Sequence, residues 1–300
     1  MPRSLNPDRA SIIANYCYPQ IDVLTVNYDA RSGLIDIADL KGKLSKRIAA
    51  LYIENPSFLG AIETNAAQIA DLAHAHGALC VVGVDPISLG VLAPPPQYGA
   101  DIVCGELQSL GIHMYYGGGR GGFIASADEE RIVSEFPTRL FGIVPTVDHA
   151  WGFGDVAWER TSFARREDSK EYVGTMAALW GITAGVYLAL MGPQGMHDVG
   201  HTIMERSAYA AQELGKIGGV SSPALRAPFF QEFVVNLDGA AVTARRMNEE
   251  LLKMGIYGGI DLSREFPKLG ESLLFSVTEV HTKKDIDRLV TSARQIVEGR

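Results

Sequence analysis

Apolar runs broken by turn signals frame the first half of the chain. The stretch Arg47 to Glu54 is almost continuously hydrophobic and stops at Asn55-Pro56. Proline removes a ladder donor and disfavours helix at the residue before it, so this run reads as a buried strand. Ile69, Leu72, Ala73 and His76 then recur at spacings of three and four, and Gly77 follows. That pattern predicts a helix ended by a left-handed residue. Ala78 to Asp85 and Ala100 to Gly105 are two further strand-like runs. Strand, helix and strand in this order predict an α/β fold, with a largely parallel sheet covered by helices on both faces. Functional groups in such sheets gather at the carboxyl ends of the strands. Those ends are Glu54-Asn55-Pro56, Asp85-Pro86 and Glu106-Leu107-Gln108-Ser109.

The second half has a different texture. Val173 to Met191 is small and apolar on all sides, as expected of a helix buried between layers, and Gly192-Pro193 is expected to end it. Its length approaches that of a membrane span, but it is a single segment rich in Gly, Ala and Thr, and the buried helix is the better reading. The break divides the chain into a lobe over 1–192 and a smaller α+β lobe over 193–300. The smaller lobe holds the apolar run Phe229 to Leu237, a helix through Met247 and Leu252, a strand-like run from Leu273 to Val280 and a final amphipathic helix. Thr282 is placed to cap that helix, whose stripe is Ile286, Leu289, Val290, Ala293 and Ile296.

Composition narrows the function classes. Thirty-five acidic against 27 Lys+Arg side chains give a formal charge of −8, with no basic run suited to a nucleic-acid backbone. Three scattered cysteines, Cys17, Cys80 and Cys104, provide neither a disulfide framework nor a Cys-x-x-Cys zinc site. The residues after Met1 carry no apolar secretory core, and a cytoplasmic location is expected.

Several motifs fail as chemistry. Gly117 to Gly122 is glycine-rich but lacks a following Lys-Ser/Thr and precedes Phe123-Ile124-Ala125, which reads as a strand. His197 and His201 stand four apart without a third ligand in view, so no metal site is expected. Ser109 lacks the glycine spacing of a nucleophile elbow. Asp85 is the stronger candidate. A carboxylate ending an apolar strand must reach the open rim or find a cationic partner, and the protonated ring nitrogen of a cofactor is one such partner. The alternative is an aspartate capping the turn at Pro86.

The ordered set Glu54-Asn55-Pro56-Ser57-Phe58-Leu59-Gly60, His76 to Pro86, Leu89 to Pro95, Tyr98 to Val103, Gln108 to Ile112, Val186 to Pro193, Ala227 to Phe233, Gly258 to Leu262 and Val277-Thr278-Glu279 resembles subunit 1 of the two-subunit glycine decarboxylase, the P-protein of the glycine cleavage system. The likeness runs nearly end to end. It implies a fold-type-I pyridoxal-phosphate (PLP) architecture, with an incomplete large lobe and a smaller C-terminal lobe. It also implies decarboxylation of glycine and transfer of the aminomethyl group to a lipoyl carrier protein. PLP chemistry requires a Schiff-base lysine, expected after the strand near Ala100. The chain has Gly105-Glu106-Leu107-Gln108-Ser109 there, and no lysine at all between Lys46 and Lys170.

The resemblance therefore implies a lysine-free subunit with no catalytic lysine of its own, completing a site whose PLP is held covalently by a lysine-bearing subunit 2 in a heterotetramer. Thr175 matches the family threonine expected to face the cofactor phosphate, and Asp85 and Gln108 are the other cofactor-facing candidates. Arg165 and Arg166 are expected to line the same site. Two departures stand out. The family has Arg-Arg-Glu-Lys-Ala-Thr-Ser-Asn before the threonine, whereas this chain has Arg165-Arg166-Glu167-Asp168-Ser169-Lys170-Glu171-Tyr172. The likeness also begins partway into the large lobe, which implies either a fragment or a protein that borrows surface from a partner. A diverged scaffold or regulatory partner of a PLP enzyme is the alternative function. A self-sufficient PLP enzyme would need Lys170 to reach the cofactor.

Overall fold

A computed structural model describes residues 1–114, 120–165, 167 and 177–299. The chain opens with helix α1 (Pro7–Cys17) and helix α2 (Ile37–Lys43), each started by an acceptor side chain, Asn6 or Asp36, that takes two backbone N–H bonds. Strand β1 (Ala50–Glu54), helix α3 (Ala66–Ala75), strand β2 (Leu79–Val84), strand β3 (Ile102–Glu106) and strand β4 (Gly122–Ser126) follow. They form one sheet in the order β1-β2-β3-β4, parallel across the first three strands and antiparallel at β4. The three buried runs and the strand after the glycines are where the sequence puts them. Helix α3 buries Ala66, Ile69, Ala70 and Ala73 on that sheet, and Gly77 ends it at φ 78°. The core beneath is Leu40, Leu51, Ile53, Ile69, Cys80, Val82 and Val103.

Helix α4 (Glu130–Val133) leads into a hairpin of strands β5 (Phe141–Pro145) and β6 (Trp151–Asp155), which pair only with each other. Helix α5 (Ala178–Leu214) contains Gly192, whose φ of 60° and ψ of −178° are not helical. Gly192 interrupts the helix as expected, but Pro193 opens a second helical run to Leu214 where the sequence predicts a stop. Proline lacks only an N–H that a first helical turn leaves unpaired. The expectation of a buried helix before that break fails. Ala184 is buried and Tyr187 half-buried, while Leu179, Ile182, Val186 and Leu190 are 63, 64, 64 and 82% exposed. A helix apolar on every side must be covered, and among the described residues only one side of it is. Among the described residues no helix is long and apolar enough to cross a membrane.

The rest is a three-stranded antiparallel sheet packed with helices. It comprises β7 (Glu232–Asn236), helix α6 (Ala244–Lys253), β8 (Ile260–Asp261), β9 (Ser272–Ser276) and helix α7 (Lys283–Glu298), with strand order β7-β9-β8. Thr282 caps α7 in a reciprocal capping box with Asp285, and Ile286, Val290 and Ala293 of the expected stripe are buried. Two apolar clusters join the halves of the molecule. One packs Leu59 on Leu225, Val234, Leu262 and Leu274, and the other gathers Ile87, Leu110, Ala184, Ile203 and Phe230.

Candidate functional site

The second of those clusters lies beneath the carboxyl ends of β2 and β3, where titratable groups collect. Asp85 leaves β2 and starts a short 3₁₀ turn over Pro86–Gly90, accepting the Ile87 N–H at 3.0 Å. Ser109, in the loop after β3, donates its Oγ to the same Asp85 Oδ1 at 3.0 Å. The turn-capping role at Pro86 is thus the one present, with the carboxyl also held by the Ser109 hydroxyl. Burial pushes the Asp85 carboxyl above the usual range against these hydrogen bonds, with the Glu279 charge adding to the effect.

Residues from the start of β7 supply the other wall. The Gln231 side chain donates Nε2 to Glu232 Oε1 at 2.7 Å and also acts on the Asp85 carboxyl, whose pKa it draws downward, so one amide sits between two carboxylates distant in sequence. Glu232 is pushed up to about 7, by burial first and by the Asp85 charge next. Gly60, at φ 87°, lies so close that a Cβ there would fall on the Glu232 carbonyl oxygen. Tyr187 of α5 is raised by burial and by Glu279. None of Gln231, Glu232, Glu279 and Tyr187 stands out as a site residue in the sequence. The available signal was Gln231-Glu232 opening a strand otherwise filled by Phe233, Val234 and Val235. A buried strand that starts with two polar residues must satisfy them locally.

At the end of β1, Glu54 is buried and takes a hydrogen bond from the Tyr52 hydroxyl at 3.2 Å and an ion pair from Arg9 of α1. Asn55 accepts the Glu63 N–H at 3.0 Å, and Glu63 in turn receives the N–H groups of Ile35 and Asn65. These residues hold the loops around the end of β1. Gln108 is exposed, and its amide donates to the Ile112 carbonyl at 2.8 Å, which fixes the loop after β3. Thr175, Arg166 and Lys170 lie outside the described residues, and Arg165 is exposed at the end of a 3₁₀ turn. His197 and His201 are exposed on α5 with their rings stacked 6.0 Å apart, and among the described residues no group of three candidate ligands could hold a metal.

The donor set decides what the rim can hold. An acceptor for a ring nitrogen is present in Asp85, but the segment after β3 offers Glu106, Leu107, Gln108 and Ser109 and no amine. These residues do not fit PLP as a covalently held group.

The sequence profile of the family described as Glycine cleavage system P-protein matches residues 2–292. The chain belongs to that family. Among curated relatives, a probable glycine dehydrogenase (decarboxylating) subunit 1 from Staphylothermus marinus is 38% identical over 298 residues, 99% of this chain and 63% of the relative. One of the same description from Desulfitobacterium hafniense is 35% identical over 99% of this chain and 65% of its own length. The chain thus spans a little under two thirds of these relatives. Among solved structures, glycine decarboxylase (P-protein) of the glycine cleavage system, in inhibitor-bound form, matches with TM-score 0.86 and 30% identity, over 98% of this chain and 64% of that one. A NifS-like protein from Rickettsia africae matches at TM-score 0.68 and 12% identity over 99% of this chain and 74% of its own, which speaks for the fold alone. The fold is that of fold-type-I PLP enzymes, as the resemblance implied.

Proposed function

We propose that the chain acts as the lysine-free subunit 1 of a glycine dehydrogenase (decarboxylating), the P-protein of a glycine cleavage system. The observation that carries the proposal is the conjunction of family membership with a β3 terminus that has no amine. In this reading a lysine-bearing subunit 2 holds PLP covalently, in a heterotetramer located in the cytoplasm. The location is supported by three free cysteines, Cys17, Cys80 and Cys104. PLP would supply the electron sink that lets glycine lose its carboxylate. The aminomethyl remainder would pass to the lipoyl arm of a carrier protein.

The contribution of this chain is to position and enclose. Asp85, anchored by the Ile87 N–H and the Ser109 hydroxyl, presents a buried acceptor at the sheet rim. Gln108 shapes the loop beside it through Ile112. Thr175 is proposed to face a phosphate oxygen. The two lobes, 1–192 and 193–300, would meet around this rim, with the Gln231 bridge between Asp85 and Glu232 as one of their polar contacts.

Borohydride reduction of the chain with PLP, alone and with subunit 2, followed by mass mapping, tests the proposal. An adduct confined to subunit 2, with glycine-dependent CO₂ exchange that is lost in Thr175→Ala, is the expected result. An adduct on Lys170 of the chain alone would refute it. An adduct on subunit 2 with no exchange would make the chain a scaffold.

A further inference from the structure

Strands β5 and β6 form a ribbon that is left uncovered among the described residues. Their register sets Ile143 opposite Phe153 and Pro145 opposite Trp151, so alternation places Phe141, Ile143, Trp151 and Phe153 on one face. Phe141, Ile143, Trp151 and Phe153 are 67, 62, 75 and 87% exposed. The opposite face carries Gly142, Gly152 and Gly154. A Cβ at Gly142 would meet nothing within 4 Å, and those at Gly152 and Gly154 would meet only Thr146 and Val144 of the same hairpin. Neither face is backed, and a two-stranded ribbon alone in water is marginally stable.

The root of the ribbon, by contrast, is fastened. Arg139 pairs with Asp155 and stacks over the Phe141 and Trp158 rings at 5.3 and 5.2 Å. Trp158 meets Phe163 edge-on at 5.3 Å, and Ser162 N–H bonds the Phe136 carbonyl at 3.0 Å. A fixed base with an uncovered aromatic face is the form of a docking arm.

We propose that this arm is seated on the lysine-bearing second subunit, a step that rests on the subunit reading above. The three exposed rings present on the order of 450 Å². That is about half of the roughly 800 Å² each partner buries in a stable interface. Aromatic surface of that extent is costly to return to water on every cycle, which disfavours a carrier protein that must leave each time. A second copy would bring another charge of −8 to a like-charged chain. A distinct subunit is not bound to repeat that charge and need not leave on each cycle.

The experiment measures assembly with subunit 2 by sedimentation and titration for the wild-type chain, Trp151→Glu/Phe153→Glu and the control Tyr257→Glu, whose residue is 91% exposed elsewhere. The double variant is expected to keep the wild-type circular dichroism and to bind subunit 2 at least 100-fold more weakly, while Tyr257→Glu binds as wild type. Hydrogen exchange at residues 141–155 of the wild-type chain should slow when subunit 2 is added. Wild type and double variant binding within threefold of each other, or no protection of the arm, overturns the seating while leaving the subunit reading intact. Failure of the wild-type chain to bind subunit 2 at all refutes both. A homodimer of the wild-type chain that the double variant dissolves would make the occupant a second copy and overturn the proposal.

Discussion

Glu232→Gln probes the carboxylate pair formed with Asp85. Burial and the neighbouring Asp85 raise the Glu232 carboxyl from an ordinary 4.5 to about 7, so the folded chain holds this proton more tightly than the unfolded chain. The contribution of Glu232 to stability is therefore fullest below about pH 4.5, falls as pH rises through about 7, and levels off above that. The gap corresponds to about 3 kcal/mol lost between pH 5 and 8 from this one group. A glutamine keeps the shape and a carbonyl acceptor for Gln231, yet has no proton to lose. At pH 8 the variant is expected to be more stable than wild type by about 2–3 kcal/mol, the lower figure allowing for a weaker neutral hydrogen bond. At pH 5 the two should nearly coincide. Urea unfolding at half-unit steps from pH 5 to 8.5 measures the difference directly. Curves that stay parallel across that range would refute the assignment of the proton to Glu232.

Other predictions concern the supports of the site. Arg9→Ala strands the buried Glu54 carboxylate, and a loss of about 1–3 kcal/mol is expected in urea unfolding at pH 7, at the low end because Arg9 is half exposed. Adding Glu54→Gln should restore most of it, and no recovery would mean that the pair is not the cause. Gly60→Ala drives a methyl group into the Glu232 carbonyl at a left-handed position, so a loss above about 3 kcal/mol is expected, and an unchanged midpoint would contradict the close approach. Thr282→Ala removes the capping box of α7 and should cost about 1 kcal/mol by the same measurement, while Thr282→Ser should cost much less.

The sequence by itself determined the order and type of the main elements. Apolar runs ended by Asn55-Pro56 and Asp85-Pro86 can be satisfied only as buried strands, and the Thr282 cap with its stripe specifies α7 from local chemistry alone. The family, and the missing amine after β3, were equally legible, because they depend on residue identity and chain order. The tertiary structure alone decided which polar groups meet. Gln231 and Glu232 lie far along the chain from Asp85 and Ser109, and no local pattern announces that these carboxylates will come together around one amide. It also decided what covers the apolar surfaces. The segment before Gly192 and the β5–β6 ribbon carry the composition of buried elements, but hydrophobicity records that a surface will be covered without recording by which chain. Along the first part of α5 and along the ribbon the described residues leave those apolar surfaces exposed, and this is where the reading of a buried helix failed.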